Sequence, residues 1–101
     1  MKLLLITAVA EFETEVKQIL KKANVKTYSY KEVTGYRNTL EEAIETNWFG
    51  TTMHENQSVL FYVFTETVNS DKVCQEIVQF NQKQETTSQI HFAILNIEKS
   101  N

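Results

Sequence analysis

Two segments of this chain are apolar on both of their alternating faces, and this pattern constrains the fold more than any other. They span residues 2–9 and 58–66. In the first segment, one face holds Leu3, Leu5 and Val9 and the other holds Leu4, Ile6 and Ala8. In the second segment, Val59, Phe61 and Val63 alternate with Leu60, Tyr62 and Phe64. A strand with two apolar faces belongs inside a sheet that is covered on both sides. The sequence therefore predicts two central strands that need a packing layer on each face.

Two other segments place their apolar residues at helical spacing. Residues 11–24 begin with glutamates and end with lysines, as the helix dipole favours, and Asn24 is suited to a helix end. Residues 70–83 are predicted to form a second helix, capped by Asn69 or Ser70. The inward-facing residues of the second helix are predicted to be Val73, Cys74, Ile77, Val78 and Phe80.

The remaining strands complete the order of elements. Residues 26–34 are polar on one side and predict an edge strand, with Tyr28 and Tyr30 on one face, and residues 89–98 predict the last strand. The order β-α-β-β-α-β predicts a single α+β domain over residues 1–101 with a ferredoxin-like fold: a four-stranded antiparallel sheet with two helices on one face. Because the helices cover one face only, the other apolar face is expected to meet another subunit.

The distribution of charge argues against a nucleic-acid partner. The chain of 101 residues has 10 Lys+Arg and 13 Asp+Glu, for a net charge of −3. Residues 38–71 contain six acidic residues and no Lys or Arg. An acidic middle repels phosphates, and no basic stripe with interleaved aromatic residues is present. No apolar run approaches the roughly 20 residues of a membrane helix, so no direct membrane insertion is expected.

The cysteine content and the lack of enzyme motifs limit the class of protein that this chain can belong to. Cys74 is the single cysteine, so no internal disulfide framework forms and a reducing, cytoplasmic setting is expected. The sequence contains no nucleophile elbow, no phosphate-binding loop and no dinucleotide fingerprint. We therefore expect a protein that is not an enzyme.

A long connection, residues 38–57, lies between the second and third strands where a hairpin usually needs 2–5 residues. Thr39 and Glu42 form a capping box that predicts a short helix within it. Trp48 and Phe49 follow near the tip, and aromatic anchors of this kind supply much of the binding energy of an interface. The sequence equally allows Trp48 to fold back over the domain.

The same connection contains groups that could bind a divalent metal ion. Glu41 and Glu45 are four residues apart on the predicted helix, and His54 and Glu55 follow at its far end. Carboxylate and imidazole groups bind divalent ions, here within one chain or across subunits. The alternative is that these are solvated surface carboxylates.

Two stretches of the chain resemble the P-II signal-transduction proteins. Residues 1–25 followed by 30–37 (YKEVTGYR) resemble the first strand, first helix and second strand of that family, and Val33 to Arg37 match its V-x-G-[FY] turn. Residues 58–80 resemble the third strand and second helix. The resemblance implies a homotrimer that binds adenine nucleotides in clefts between subunits and signals to a transporter or an enzyme through the long loop, called the T-loop.

The resemblance also assigns ligand-binding positions. Gly35, Tyr36 and Arg37 would lie at the base of the loop beside the cleft, and Thr65 would line the cleft. Where the family has a glycine-rich phosphate loop, residues 82–88 contain no glycine.

The sequence also departs from the family in the residues that contact phosphate and in the residue of the long loop that is modified. The basic C-terminal segment of the family is not matched, which leaves Lys83 as the candidate phosphate contact. No tyrosine occurs within residues 38–57, so uridylylation of the loop is not expected.

These departures leave more than one function open. The leading interpretation is a P-II-like regulator that senses a small ligand, either an adenine nucleotide or a divalent metal ion. Small relatives of this type occur beside transport systems, so a membrane transporter or a heavy-metal efflux component is an expected partner. The alternatives are a CutA-like trimer that binds divalent cations and a purely structural interaction module.

Overall fold

The structure is a computed structural model that describes residues 1–36 and 55–101. Its elements are, in chain order, β1 (Lys2–Val9), a short 3-10 turn (Ala10–Phe12), α1 (Glu13–Lys22), β2 (Ser29–Tyr36), β3 (Glu55–Thr65), α2 (Thr67–Lys83) and β4 (His91–Asn96). The predicted order β-α-β-β-α-β is confirmed.

The four strands form one antiparallel sheet in the order β2-β3-β1-β4. The two doubly apolar strands, β1 and β3, occupy the centre, as their sequences predict. Along their shared register Leu4 lies opposite Val63 and Ile6 lies opposite Phe61. This is the strand order of the ferredoxin-like fold, so the predicted fold class is confirmed.

Both helices pack on the same face of the sheet, where they form the hydrophobic core. The fully buried residues that β1 and β3 contribute to this core are Leu4, Ile6, Val59, Phe61 and Val63. The fully buried apolar residues that α1 and α2 contribute are Val16, Leu20, Val73 and Ile77. Alternate strand residues and one stripe of each helix therefore share a single buried layer.

The other face of the sheet, here called the open face, lacks such a layer in the described part of the chain. The strand registers align Leu95, Leu3 and Phe64 in one row and Ala93, Leu5 and Tyr62 in the next. Phe64 is 57% exposed, Leu95 42% and Tyr62 39%. The prediction of a second apolar face is thus confirmed, and large apolar side chains on it face solvent in the single chain.

Helix α1 ends in a left-handed turn at Asn24. Asn24 has φ 64°, its N–H donates to the Lys21 carbonyl, and the Val25 N–H donates to the Leu20 carbonyl. These two bonds satisfy carbonyls that the end of the helix would otherwise leave unpaired, and asparagine tolerates the left-handed region better than most residues. The predicted helix end at Asn24 is therefore confirmed.

A side-chain clamp joins α2 to the start of β4. The Asn81 amide donates to the Ile90 carbonyl, and the Ile90 N–H donates to Asn81 Oδ1, both at 2.9 Å. Ile90 is almost completely buried in the core. The clamp therefore fixes the point at which the chain enters β4.

Several predicted boundaries are shifted in the structure. Strand β2 spans Ser29–Tyr36 rather than residues 26–34, and Tyr28 lies before it while its ring still packs on Phe61 with centroids 5.7 Å apart. Strand β3 begins at Glu55 rather than at residue 58, because its first residues pair with the end of β2. Strand β4 is shorter than predicted.

The predicted start and inner face of α2 need correction. The helix begins at Thr67, and its N-cap is Glu66, without a side-chain capping bond. Ser70 is buried within the helix and its hydroxyl donates to the Thr67 carbonyl at 2.8 Å, so the predicted cap at Asn69 or Ser70 is wrong. Val78 is exposed rather than inward-facing, whereas Cys74 is partly buried against the core.

Candidate functional site

The base of the long connection is a β-hairpin built from the ends of β2 and β3. Gly35 lies opposite Asn56, and Tyr36, which is exposed, lies opposite Glu55. Glu55 is thus the first residue of β3, so its predicted place in the loop is wrong. The other predicted loop-base, metal and docking residues fall within positions 37–54, outside the described residues: Arg37, Glu41, Glu45, Trp48, Phe49 and His54.

Thr65 lies at the other end of the sheet. It is the last residue of β3, it is buried, and it pairs with Lys2. Asn56, opposite Gly35, is nine residues earlier on the same strand, which corresponds to roughly 30 Å at about 3.3 Å per residue. One chain therefore does not bring Gly35 and Thr65 together.

Lys83 is the last residue of α2 and is exposed. It lines a groove of about 260 Å³ between α1 and α2, here called the helix groove, on the helical side of the sheet. The residues that line the helix groove are Glu15, Gln18, Ile19, Lys22, Glu76, Gln79, Phe80 and Lys83. The structure therefore separates Lys83 from the open face.

A larger groove of about 540 Å³, here called the lysine groove, lies along α1 and the chain that leads to β2. It is lined by Thr14, Lys17, Gln18, Lys21, Asn24, Val25, Lys26 and Tyr28. Three lysines and no carboxylate line it, so it can attract anionic groups. Sequence reasoning missed this groove, although the spacing of Lys17 and Lys21 places both on one side of α1.

Lys17 is held at the edge of the lysine groove by two neighbours. Its ammonium donates to the Tyr30 hydroxyl at 3.0 Å and to Glu13 Oε2 at 2.9 Å, and it lies 4.4 Å from the centroid of the Tyr30 ring. These hydrogen bonds, that to Tyr30 above all, raise the pKa of Lys17 above its ordinary value. Lys17 therefore stays charged and fixed, whereas Lys21 and Lys26 are exposed.

Residues 1–36 and 55–101 contain no group of three or more His, Cys, Asp or Glu side chains that could hold a metal ion. Over the same residues, no helix has the length and apolar character needed to cross a membrane.

Comparisons with known proteins relate the chain to one fold. No family model matches it, and no curated protein matches it. Among solved structures it is similar to a PII-like signaling protein from Thermus thermophilus, with TM-score 0.62, 15% identity and coverage of 95% of this chain and 85% of that one. It is also similar to a nitrogen regulatory PII-like protein from Thiomonas intermedia bound to ADP, AMP and bicarbonate, with TM-score 0.62, 10% identity and coverage of 99% and 94%. The chain therefore has the fold of the PII-like proteins, in agreement with the sequence resemblance.

Proposed function

We propose that this chain is a P-II-like regulatory protein, not an enzyme, that assembles as a homotrimer through its open face. In this proposal a small ligand binds in the clefts between chains and changes the way that the connection between β2 and β3 contacts a transporter or an enzyme. The observation that carries the proposal is the exposure of large apolar side chains on the open face, above all Phe64 and Leu95. Other copies of the same chain would cover them.

The edge strand β4 supports assembly. Its sequence, HFAILN, contains no Lys, Arg, Asp, Glu or Pro, and all six residues are exposed. An edge strand without protective charges is a template for pairing with another chain, which natural monomers usually avoid. A single interface that buries this edge together with the open face would cover both the unpaired strand and the exposed apolar side chains.

The separation of the two predicted parts of the ligand site also supports a cleft between chains. Asn56, which pairs with Gly35, is roughly 30 Å from Thr65 along β3. A site that uses both Gly35 and Thr65 therefore needs the loop end of one chain and the other end of a second chain. A head-to-tail contact of this kind closes into a ring when the rotation between chains allows it.

Two classes of ligand are proposed for the clefts between chains. A PII-like neighbour is bound to ADP and AMP, which makes an adenine nucleotide the first ligand to test. Residues 84–90 contain no glycine, lysine or arginine, so they do not fit a phosphate chain. A divalent metal ion held by loop residues Glu41, Glu45 and His54 is the second ligand to test.

Light scattering coupled to size-exclusion chromatography tests the assembly. We expect about three times the chain mass of 11.8 kDa at micromolar concentration. Phe64→Glu places a charge in the interface and should yield the single-chain mass. Val68→Glu is the matched control, because Val68 is 61% exposed but lies on α2, away from the open face. A monomeric wild-type protein, or equal effects of the two variants, would contradict the proposal.

Calorimetric titration tests the ligand, with ADP, AMP and ATP, each with and without Mg²⁺, and with divalent metal ions alone. We expect saturable binding of at least one of them, weakened by Thr65→Val, which removes the hydroxyl and keeps the shape of the side chain. The absence of binding by all of them would leave only an interaction module. Loss of partner capture by W48A and F49A, with unchanged thermal stability, would support docking through these aromatic residues.

A further inference from the structure

The two helices present the same side-chain pattern to the helix groove. Helix α1 supplies Glu15, Gln18, Ile19 and Lys22, and α2 supplies Glu76, Gln79, Phe80 and Lys83. Both sets follow the spacing i, i+3, i+4, i+7, which places four residues on one side of a helix. The sequence E-x-x-Q-(I/F)-x-x-K therefore occurs once in each helix.

One half of this repeated pattern is closed by an ion pair and the other half is open. Lys22 Nζ lies 3.3 Å from Glu76 Oε2. Because the helices run antiparallel, as the order of elements in the sheet requires, the equivalent partners are Glu15 and Lys83. No ion pair joins them within the described residues, and Glu15 Oε1 is buried there without a hydrogen-bond partner.

An unpartnered buried carboxylate oxygen is costly and calls for a donor. The open half of the groove thus presents a carboxylate at Glu15 and an ammonium at Lys83. The groove is also lined by two apolar side chains: Ile19, which is buried, and Phe80, which packs edge-on against Phe12 with ring centroids 5.1 Å apart. The lining combines two opposite charges with an apolar surface in a small volume.

We propose that the helix groove binds a small zwitterion, namely a free α-amino acid with an uncharged side chain. Its ammonium group donates to Glu15, its carboxylate accepts from Lys83, and its side chain rests on Ile19 and Phe80. The volume of about 260 Å³ is just below the range of roughly 300–1,000 Å³ typical of drug-sized ligands, so it suits a smaller molecule. Lys22 and Glu76 already neutralise each other, so the other half of the groove offers no equivalent site.

The site lies on the helical side of the sheet and does not depend on assembly through the open face. It therefore does not rest on the proposed function. Failure of trimer formation or of nucleotide binding would leave it unaffected, and its own failure would leave the regulator proposal unaffected.

The test is an NMR titration of the ¹⁵N-labelled protein with L-leucine, L-methionine and L-glutamine, followed by N-acetyl-L-leucine and L-leucinamide. We expect saturable shifts of amide signals in α1 and α2 around the groove with the free amino acids. The N-acetyl compound lacks the ammonium group and the amide lacks the carboxylate, so each should bind roughly tenfold more weakly. Equal binding of L-leucine and both derivatives would overturn the proposal.

Matched variants locate the site. Glu15→Gln and Lys83→Gln each remove one charge at nearly constant shape and should weaken binding of L-leucine roughly tenfold. Glu11→Gln and Lys72→Gln remove the same charges from exposed positions outside the groove and should leave affinity within about twofold. Each variant is used only if its amide spectrum shows the native fold. No shift of the wild-type signals at about 20 mM of any of the three amino acids, or equal effects of groove and control variants, would refute the site.

Discussion

The clamp between Asn81 and Ile90 gives a sharp test of how β4 is held in the sheet. The variant Asn81→Ala removes both hydrogen bonds and leaves the N–H and the carbonyl of Ile90 without these partners. Each bond contributes about 1 kcal/mol net, so we expect a loss of about 2 kcal/mol in the free energy of unfolding. For a domain of this size that corresponds to a fall in Tm of roughly 8 °C or more.

The assay is urea unfolding followed by circular dichroism, at one fixed protein concentration because association adds to apparent stability. Gln82→Ala is the control: Gln82 is the next residue of α2, it is exposed, and its replacement should change stability by no more than about 0.5 kcal/mol. Asn81→Asp retains an acceptor for the Ile90 N–H but, when ionised, cannot donate to the carbonyl. Because the second carboxylate oxygen would face the Ile90 carbonyl oxygen, and two acceptors repel each other, Asn81→Asp should be at least as destabilising as Asn81→Ala at neutral pH. If the free energy of unfolding of Asn81→Ala lies within about 0.5 kcal/mol of the wild-type value, the proposed role of the clamp is refuted.

Three further predictions concern single residues. Asn24→Gly should raise stability by about 0.5–1 kcal/mol in urea unfolding, because glycine adopts the left-handed φ of 64° without strain, whereas Asn24→Val should lower it. The pKa of Lys17 is raised by its bonds to Tyr30 and a carboxylate, so acetylation near pH 10, followed by mass spectrometry, should modify Lys17 more slowly than the other lysines. These bonds contribute their full stability below the unfolded lysine pKa of about 10.4. That contribution is lost only as the pH rises through the pKa of Lys17 in the folded protein. Burial raises the pKa of the Cys74 thiol, so its alkylation rate should reach half-maximum at a higher pH than that of an unfolded control peptide.

The centre of the fold can be predicted from the sequence because the deciding pattern is local. The alternation in β1 and β3 shows that each strand has two apolar faces and belongs in the centre of the sheet, and it needs no knowledge of distant residues. Which of the two sets faces the helices is shown by the structure. Asn24 is also a reliable sign of a helix end, since few residues adopt a left-handed φ. The ends of β2 and β3 are less predictable, because their pairing depends on the partner strand rather than on local propensity.

The start of α2 shows why capping residues mislead. Asn69 and Ser70 favour helix caps, but Ser70 is buried inside the helix and bonds back to the Thr67 carbonyl. Packing of the following turn against the core therefore outweighs the capping preference of these side chains. The resemblance to the P-II family makes Lys83 a candidate phosphate contact, and the structure places this residue in the helix groove.

The helix groove depends on how α1 and α2 are aligned, which a single sequence does not reveal. The repeat E-x-x-Q-(I/F)-x-x-K in residues 15–22 and 76–83 is the available signal, because equal spacing in two helices predicts equal faces. The repeat does not show by itself that the two halves of the helix groove differ. The ion pair between Lys22 and Glu76 in the structure shows that one half of the groove is closed.

Gly35, which pairs with the start of β3, and Thr65, which ends β3, lie at opposite ends of the sheet, and this separation has a genetic consequence. A pocket that draws on both ends is shared by two polypeptides, so a chain with a damaged loop end and a chain with a damaged far end can still form one sound pocket when they associate. Co-expression of two inactive alleles, one altered at Gly35 and one at Thr65, would then restore part of the activity that neither allele has alone.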